Sequence, residues 1–182
     1  RREMSKRKPC LDRVRLCSSH RLLRAQVFDG PATFAHFRAF TLCTAGHDEG
    51  QYRFETGSLR EQIDFYLRLM AESKKQGFSV GSVNVYLTAF DEKRHDRLKT
   101  EVLEKLAPEH PEVDFDFDQN RESGRGYYLS AGFQVFVGDP AGEDYLIVDG
   151  GFTDWTQQYL SNRKERLLIS GFGSERFVYV FG

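Results

Sequence analysis

Apolar and polar residues alternate with a period of two along several short stretches of the chain, which is the pattern of half-buried β-strands. The clearest stretch is 82–90, where Val83, Val85 and Leu87 alternate with more polar neighbours. The same alternation at 113–118 places three aspartates on one face of a strand and three apolar residues on the other. Less regular apolar stretches predict five more strands, at 22–28, 34–44, 127–137, 145–149 and 167–170.

A helical period marks three other segments. The run Ser58-Leu59-Arg60-Glu61 has the form of a capping box, in which the serine accepts a hydrogen bond from the third helical N–H group and the glutamate reaches back. Apolar residues then recur at helical spacing as far as Met70, and Gly77 is a suitable stop, so we predict a helix over 58–76. Two further helices are predicted at 92–106, before Pro108, and at 154–162.

The order of these elements indicates the fold class. Read along the chain it is strand, strand, helix, strand, helix, then three strands, a helix and a strand. Neighbouring strands late in the chain can pair antiparallel, so we predict an α+β fold with a mostly antiparallel sheet flanked by helices. The 182 residues are enough for a single domain with its own core.

Charge is unevenly distributed along the chain. Residues 1–24 hold nine basic residues and two acidic ones, a net charge of +7, whereas the remainder carries −8. Such a basic segment suits either nucleic-acid contact or a solvated, flexible terminus. It contains no aromatic residue, which argues against stacking on single-stranded bases. We therefore predict a basic leading segment at 1–24, flexible in the simplest case, followed by one domain at 25–182.

The cysteines, the histidines and the lack of long apolar runs limit which cellular compartments and which metal sites can be predicted. The three cysteines form no CxxC pair, which fits a reducing compartment, and the basic start lacks the apolar core of a signal peptide. No apolar run approaches the ~20 residues of a membrane span, so a cytoplasmic location without membrane contact is predicted. The aspartates of 113–118 could hold Mg²⁺ or Ca²⁺ or simply be solvated. The five histidines lack zinc spacing, and no metal site is predicted.

Three motifs in the last third resemble those of histidyl-tRNA synthetases, which are class II aminoacyl-tRNA synthetases. The run Gly124-Arg125-Gly126-Tyr127-Tyr128 resembles the histidine-binding tyrosine motif. The run Asp149-Gly150-Gly151-Phe152-Thr153-Asp154 is similar to the Gly-Gly-Arg-Tyr-Asp segment. The run Gly171-Phe172-Gly173-Ser174-Glu175-Arg176 resembles motif 3, whose arginine contacts ATP. Upstream, Phe28 and the run Phe37-Arg38-Ala39-Phe40 could form the antiparallel hairpin of motif 2.

The resemblance implies a class II synthetase-like core with ATP and Mg²⁺ as cofactors and a small-molecule amino acid or nucleotide as ligand. The nucleotide-binding residues that it implies are Arg176, Glu175 and Arg38. The amino-acid-binding residues that it implies are Tyr127, Tyr128, Arg125, Gly150 and Gly151.

Several positions depart from the family pattern. The arginine expected four residues before the first tyrosine is Ser123, and the motif 2 arginine is Asp29 unless Arg38 takes its place. The arginine and tyrosine of the Gly-Gly segment are Phe152 and Thr153. Adenylation gathers negative charge at phosphorus, so losing two arginines would remove most of its stabilisation. Motif 1, the anticodon-binding domain and most of the helical insertion of the family are not seen in these residues.

Three functions stay open. The first is a histidyl-tRNA-synthetase-like paralogue that binds an amino acid or nucleotide without charging tRNA, as the regulatory subunit of ATP phosphoribosyltransferase does in histidine biosynthesis. The second is an active adenylating ligase, which the retained Glu175 and Arg176 favour. The third is a non-enzymatic interaction domain. A partner protein or a homodimer is compatible with each of them, and tRNA is not an expected partner.

Overall fold

Seven strands form one sheet in the computed structural model, which describes residues 13–25 and 35–182. The order across the sheet is β1-β2-β7-β6-β5-β3-β4. All neighbouring strands are antiparallel except β3 and β4, so the predicted α+β fold with a mostly antiparallel sheet is confirmed. The strands are β1 (Val14–Leu23), β2 (His36–His47), β3 (Val83–Ala89), β4 (Asp114–Phe117), β5 (Ala131–Gly138), β6 (Asp144–Thr153) and β7 (Glu165–Phe172).

The helices lie in the predicted segments with some changes, except the last, which was not among the predicted helices. They are α1 (Arg53–Lys75), α2 (His95–Leu98), α3 (Glu104–Leu106), α4 (Trp155–Leu160) and α5 (Ser174–Phe181). A 3₁₀ turn (Glu92–Arg94) precedes α2, and a π-helical turn (Lys99–Leu103) joins α2 to α3. The predicted helix over 92–106 is therefore one helical segment whose period changes along its length. No helix among the described residues has both the length and the apolar character that crossing a membrane requires.

Helix α1 begins five residues before the predicted capping box. Gly50, Gln51 and Tyr52 all have positive φ, and this turn leads directly into Arg53, whose N–H donates to the Gly50 carbonyl at 3.1 Å. Phe54 is fully buried, so starting the helix here places an aromatic ring in the core. Ser58 is consequently a buried residue inside the helix rather than its cap.

One face of the sheet packs against α1, the helical segment 92–106 and α5, and this layer contains the hydrophobic core. Its largest fully buried side chains include Tyr66, Phe54, Phe133 and Phe181. A buried polar chain crosses the same layer: the Gln62 amide donates to Thr44 at 2.9 Å, and the Ser170 hydroxyl donates to Gln62 at 2.7 Å. These hydrogen bonds tie α1 to β2 and β7 and fix the helix on the sheet.

The first strand lies earlier than predicted. Strand β1 covers Val14–Leu23, whereas residues 26–28 of the predicted strand 22–28, including Phe28, lie outside the described residues, as does Asp29. Residues 14–23 thus belong to the sheet. All ten residues of β1 are exposed, since β1 is an edge strand without a buried face, and its sequence therefore carries no clean period of two.

Two later strands also have ends that differ from the predicted ones. The predicted strand 127–137 begins only at Ala131, because residues 124–128 form a turn in which the N–H groups of Tyr127 and Tyr128 both donate to the Gly124 carbonyl. Strand β6 continues through Gly150 and Gly151, which were expected to follow it. These shifts decide which face of the sheet each motif residue occupies.

Candidate functional site

A cleft of about 780 Å³ opens on the face of the sheet opposite α1. Its walls come from β1, β2, β5, β6 and β7, from the turn before β5, and from the first residues of α4 and α5. This volume lies in the range typical of small-molecule sites. It is therefore the candidate functional site of the described part of the chain.

A row of polar residues crosses the floor of this cleft from strand to strand. Ser18 pairs with Thr41, Thr41 with Gly171, Gly171 with Asp149, and Asp149 with Gln134. Directly opposite residues in a sheet project from the same face, so these residues share one face of the sheet, and all of them except Ser18 line the cleft. A Cβ atom added to Gly171 would meet no atom within 4 Å. The open space of the cleft therefore lies above Gly171, between Thr41 and Asp149.

The Asp149 carboxylate is held by a buried arginine that the sequence interpretation missed. Arg121 Nη2 donates to Asp149 Oδ1 at 2.5 Å, and the Arg121 side chain is only 1% exposed. The guanidinium carbon lies 5.4 Å from the ring centre of Tyr128 and 5.8 Å from that of Phe90. Burial raises the pKa of Asp149, and the Arg121 charge opposes that rise.

Arg121 lies two residues before the position at which the family pattern expects an arginine. That position is Ser123, whose carbonyl accepts a hydrogen bond from Arg121 Nε at 2.8 Å. Gly124 and Gly126 have φ of 79° and 83°, and this tight turn brings Arg121 back beside the tyrosines. A search that allowed a longer turn before Tyr127 would have found this arginine.

Tyr127 and Tyr128 both line the cleft, at the end of the floor that holds Asp149. Tyr128 is nearly buried, and burial raises its pKa. Tyr127 is half exposed, and its ring centre lies 5.8 Å from that of Trp155, which also lines the cleft. The two tyrosines therefore form the expected aromatic wall, and their contact with an amino acid stays a prediction.

Gly151 makes room for the Tyr128 ring. A Cβ atom on Gly151 would lie 2.5 Å from Tyr128 Cγ, which is closer than atoms can approach. We expect Gly151→Ala to lower the free energy of unfolding by about 1–3 kcal/mol, because the added methyl group must displace the ring. Denaturant unfolding of the variant measures this loss. Gly171→Ala is the matched control, and an equal change in both variants would contradict the packing role.

Gly150 and Arg125 do not take the places expected of them. The Cβ position of Gly150 points to Ser170 Cβ at 2.6 Å and Phe133 Cε1 at 2.7 Å, on the core face of the sheet. Successive residues of a strand face opposite sides, so Gly150 and Gly151 cannot form one open floor for a ligand. Arg125 lies outside the cleft, 3.4 Å from Glu122. Packing accounts for both glycines, and a ligand contact at these three residues remains a prediction without geometric support.

Two arginines line the end of the cleft away from the tyrosines. Arg176, at the start of α5, donates from Nη1 to the Leu146 carbonyl at 3.1 Å. Arg24 follows β1, and its guanidinium lies 4.8 Å from the Phe37 ring centre. Burial, and then the charge of Arg24, lower the pKa of Arg176. Leu146 and Asp149 are three residues apart on β6, so about 10 Å separates the cationic end from the carboxylate.

Glu175 and Arg38, for which a nucleotide contact stays a prediction, are joined by a backbone hydrogen bond. The backbone N–H of Arg38 donates to Glu175 Oε2 at 2.8 Å, and Glu175 forms an ion pair with Arg21 at 3.5 Å. Neither residue lines the cleft. The hairpin of β1 and β2 thus contributes Arg24 to the cleft rather than Arg38, and the sequence interpretation missed this because it placed the first strand too late.

Among the residues that the structure describes, one group of side chains lies close enough together to hold a metal ion: Asp64, Glu109 and His110. The Asp64 carboxylate is already held by Arg68 at 2.9 Å and by His110 at 2.9 Å. These contacts account for the group without a metal ion. The aspartates of 113–118 do not converge, since Asp116 and Asp118 accept hydrogen bonds from nearby backbone N–H groups.

Comparison with known proteins identifies the fold. No protein-family model matches the sequence, and no curated protein matches it. The structure is similar to the apo histidyl-tRNA synthetase of S. aureus, with a TM-score of 0.66 and 13% sequence identity over 98% of this chain and 46% of that one. It is also similar to the RNA-binding domain of threonyl-tRNA synthetase from Cryptosporidium parvum Iowa II, with a TM-score of 0.59 and 12% identity over 92% of this chain and 43% of that one.

The chain spans less than half of the length of either solved structure. At these identities the likeness concerns the arrangement of strands and helices. The antiparallel sheet, its order and the helices on its core face therefore give this chain a class II aminoacyl-tRNA synthetase-like fold.

Proposed function

We propose that the chain is a histidyl-tRNA-synthetase-like paralogue whose cleft binds an amino acid, a nucleotide or both, without charging tRNA. The observation that carries the proposal is the convergence of Arg24 and Arg176 on the same cleft as Asp149. A small ligand with negative and positive groups about 10 Å apart would match the charges at the two ends, since three residues of a strand separate them. This charge arrangement favours a binding site over a bare interaction surface.

The cationic end suits a phosphate or carboxylate group. Arginine binds such anions through two parallel hydrogen bonds, which lysine cannot make. Burial, and then the charge of Arg24, lower the pKa of Arg176, so the two cations repel each other. An anion bound beside them would form charge-assisted hydrogen bonds with either guanidinium group. ATP is therefore a suitable ligand for this end of the cleft.

Mg²⁺ fits the described residues less well than the polyphosphate does. The ion needs oxygen ligands, most often carboxylates together with phosphate oxygens. Among the residues that line the cleft, Asp149 alone is a carboxylate, and Arg121 already holds it. The proposal therefore assigns the nucleotide to the arginines and gives Mg²⁺ no ligand from this chain.

The opposite end suits the ammonium group of an amino acid. The Asp149 side chain is 42% exposed, and it pairs across the strands with Gln134, whose amide oxygen can also accept a hydrogen bond. Tyr127 and Trp155 add ring surface beside them. An amino acid would then place its ammonium group near Asp149. A regulatory subunit of histidine biosynthesis is one form that such binding without turnover could take.

An adenylating ligase is the second candidate, and the positions of Arg24 and Arg121 favour it. Arg24 lines the cleft, and Arg121 lies two residues before Ser123, where the family pattern expects an arginine. In adenylation a carboxylate oxygen attacks the α-phosphorus of ATP, a new P–O bond forms, and pyrophosphate leaves with the electrons of the broken P–O bond. Guanidinium groups at the cleft would stabilise the charge that develops on the phosphate oxygens.

Binding of ATP should depend on Arg24 and not on Arg38. We expect Arg24→Ala to weaken ATP binding by about tenfold or more, because a charge-assisted hydrogen bond is lost. Arg38→Ala is the matched control, since Arg38 belongs to the same hairpin and its side chain lies outside the cleft. Calorimetric titration with ATP and with single amino acids measures both variants.

Two outcomes of this experiment would count against the proposal: wild-type protein that binds neither ATP nor any amino acid, or equal losses in the two arginine variants. Amino-acid-dependent exchange between pyrophosphate and ATP separates the two candidates. Exchange would establish the ligase, and binding without exchange would support the non-charging paralogue.

A further inference from the structure

A second cavity lies at the far edge of the sheet from β1. This groove has a volume of about 410 Å³ and runs between the helical segment 92–106 and β4. Its apolar surface comes from Leu103 and Ala107 on the helical side and from Phe115 and Phe117 on the strand side. The His95 ring packs on Phe117, with 4.1 Å between the ring centres. Unlike the cleft, the groove plays no part in the proposed function.

Strand β4 lies at the edge of the sheet opposite β1, and among the described residues it pairs with β3 alone. Its other edge therefore presents backbone N–H and C=O groups to which an additional strand can hydrogen-bond, apart from the Phe117 N–H, which donates to Asp116 Oδ1 at 2.8 Å. A groove between such an edge and a helix is the arrangement in which domains bind peptides by strand addition. The edge supplies hydrogen bonds, and the groove receives alternate side chains.

The two faces of β4 carry different chemistry. Phe115 and Phe117 are half-buried towards the helical segment, whereas Asp114 and Asp116 are exposed, and Asp116 also borders the groove together with Lys99 and Glu104. Asp118 continues this acidic row. Within the described ranges 13–25 and 35–182, none of the three aspartates forms an ion pair with a basic side chain. The acidic row is thus available to a basic partner.

We propose that the β4 edge and its groove bind an extended segment of a partner protein in which apolar residues alternate with lysine or arginine. Residues opposite each other on neighbouring strands share a face, so apolar residues of the segment would enter the groove beside Phe115 and Phe117. The basic residues would lie opposite Asp114 and Asp116. Charge complementarity therefore sets both the composition and the register of the segment.

The acidic row disfavours two other occupants. A nucleic acid would bring phosphate charge towards carboxylates, which lowers its affinity. A second copy joined through its own β4 would oppose aspartate with aspartate across the new strand pair, which is destabilising. A segment with alternating positive charge meets neither penalty.

Binding of a synthetic peptide tests the proposal directly. The probe is fluorescein-labelled Val-Arg-Val-Arg-Val-Arg-Val, whose valines favour an extended backbone. One control peptide has the same residues in two blocks, and another has glutamate in place of arginine. We expect fluorescence anisotropy to show binding of the alternating peptide at least about tenfold tighter than of either control, because only the alternating peptide matches both faces of β4.

Two variants address the two parts of the site. Asp116→Lys reverses a charge on the acidic row, and Ala107→Phe fills the groove from the helical side. Each should weaken binding of the alternating peptide by about tenfold. Glu143→Lys is the matched control, because it makes the same change in charge on an exposed residue away from β4. If Asp116→Lys fails to fold, Ala107→Phe still tests the groove.

Equal binding of the three peptides, or binding that both variants leave unchanged, would overturn the proposal. So would concentration-dependent self-association of the wild-type chain that Asp116→Lys abolishes, since the occupant would then be a second copy. Slower hydrogen exchange of the β4 amides in the presence of the alternating peptide would support strand addition.

Discussion

Asp149→Asn is expected to lower the free energy of unfolding by about 3 kcal/mol, because it leaves the Arg121 guanidinium buried without a counter-charge. The Arg121 side chain is 1% exposed, so water cannot replace the lost carboxylate. The bonds from Arg121 to the Ser123 carbonyl and the contacts with the rings of Tyr128 and Phe90 remain, but none of these supplies a negative charge.

Removing the arginine rather than the carboxylate should lower the free energy of unfolding by less. Arg121→Met leaves Asp149, whose side chain is 42% exposed, with access to water in the cleft. We therefore expect a loss of about 1 kcal/mol, close to that of an ordinary hydrogen bond. The double variant should cost less than the sum of the two single variants, because it removes both charges together.

Urea unfolding followed by circular dichroism measures all three free energies. Glu122→Gln is the control, because Glu122 is 83% exposed and pairs with an exposed arginine, so a change below about 0.5 kcal/mol is expected. Equal losses from the two single variants would show that burial does not distinguish Arg121 from Asp149. A change within the range of the control would show that the ion pair does not hold the site together.

Gly171→Val is expected to weaken ligand binding by about 100-fold, equivalent to about 2.7 kcal/mol, while the protein stays folded. The new side chain would project into open space above the floor, between Thr41 and Asp149. Valine also suits a β-strand better than glycine, so stability should be unchanged or slightly higher. The effect separates occupation of the cleft from damage to the fold.

A size series makes this test sharper. Gly171→Ala adds a single methyl group and should weaken binding less than Gly171→Val, whereas Asn84→Val makes a similar change on β3 outside the cleft and should have no effect. Calorimetric titration with ATP and amino acids measures ligand affinity, and thermal unfolding measures the stability of each variant. Full binding by Gly171→Val would show that the ligand does not sit above this glycine, and unfolding of the variant would show that the space is not open.

Local patterns predicted the elements that have one buried face. Strands β3 and β4 alternate cleanly because one side of each packs against helices, and their predicted positions match the structure within a residue or so. The body of α1 was predicted for the same reason, since Leu59, Ile63 and Met70 recur at helical spacing and are buried. Its start was missed because a left-handed turn at 50–52 replaces a side-chain cap.

At the candidate site, motif matching found some of the residues that line the cleft and missed others. Tyr127, Tyr128 and Arg176 were selected from motifs, and the structure places all three at the cleft. Arg24 was overlooked because the first strand was predicted too late in the chain, and Arg121 because it reaches the cleft through a turn whose length differs from the family pattern. Arg38, Glu175, Arg125 and Gly150 were selected by the same motifs and lie outside the cleft or on the core face.

The sequence by itself therefore determined the class of the fold, most of its strands and helices, and the chain segments from which the cleft is built. Those features depend on period and composition, which are local properties. Only the tertiary structure decided which side chains meet, because a shift of one residue moves a strand residue to the other face of the sheet. The pairing of Ser18, Thr41, Gly171, Asp149 and Gln134 across five strands is of this kind, since no two neighbours in that row are near each other in sequence.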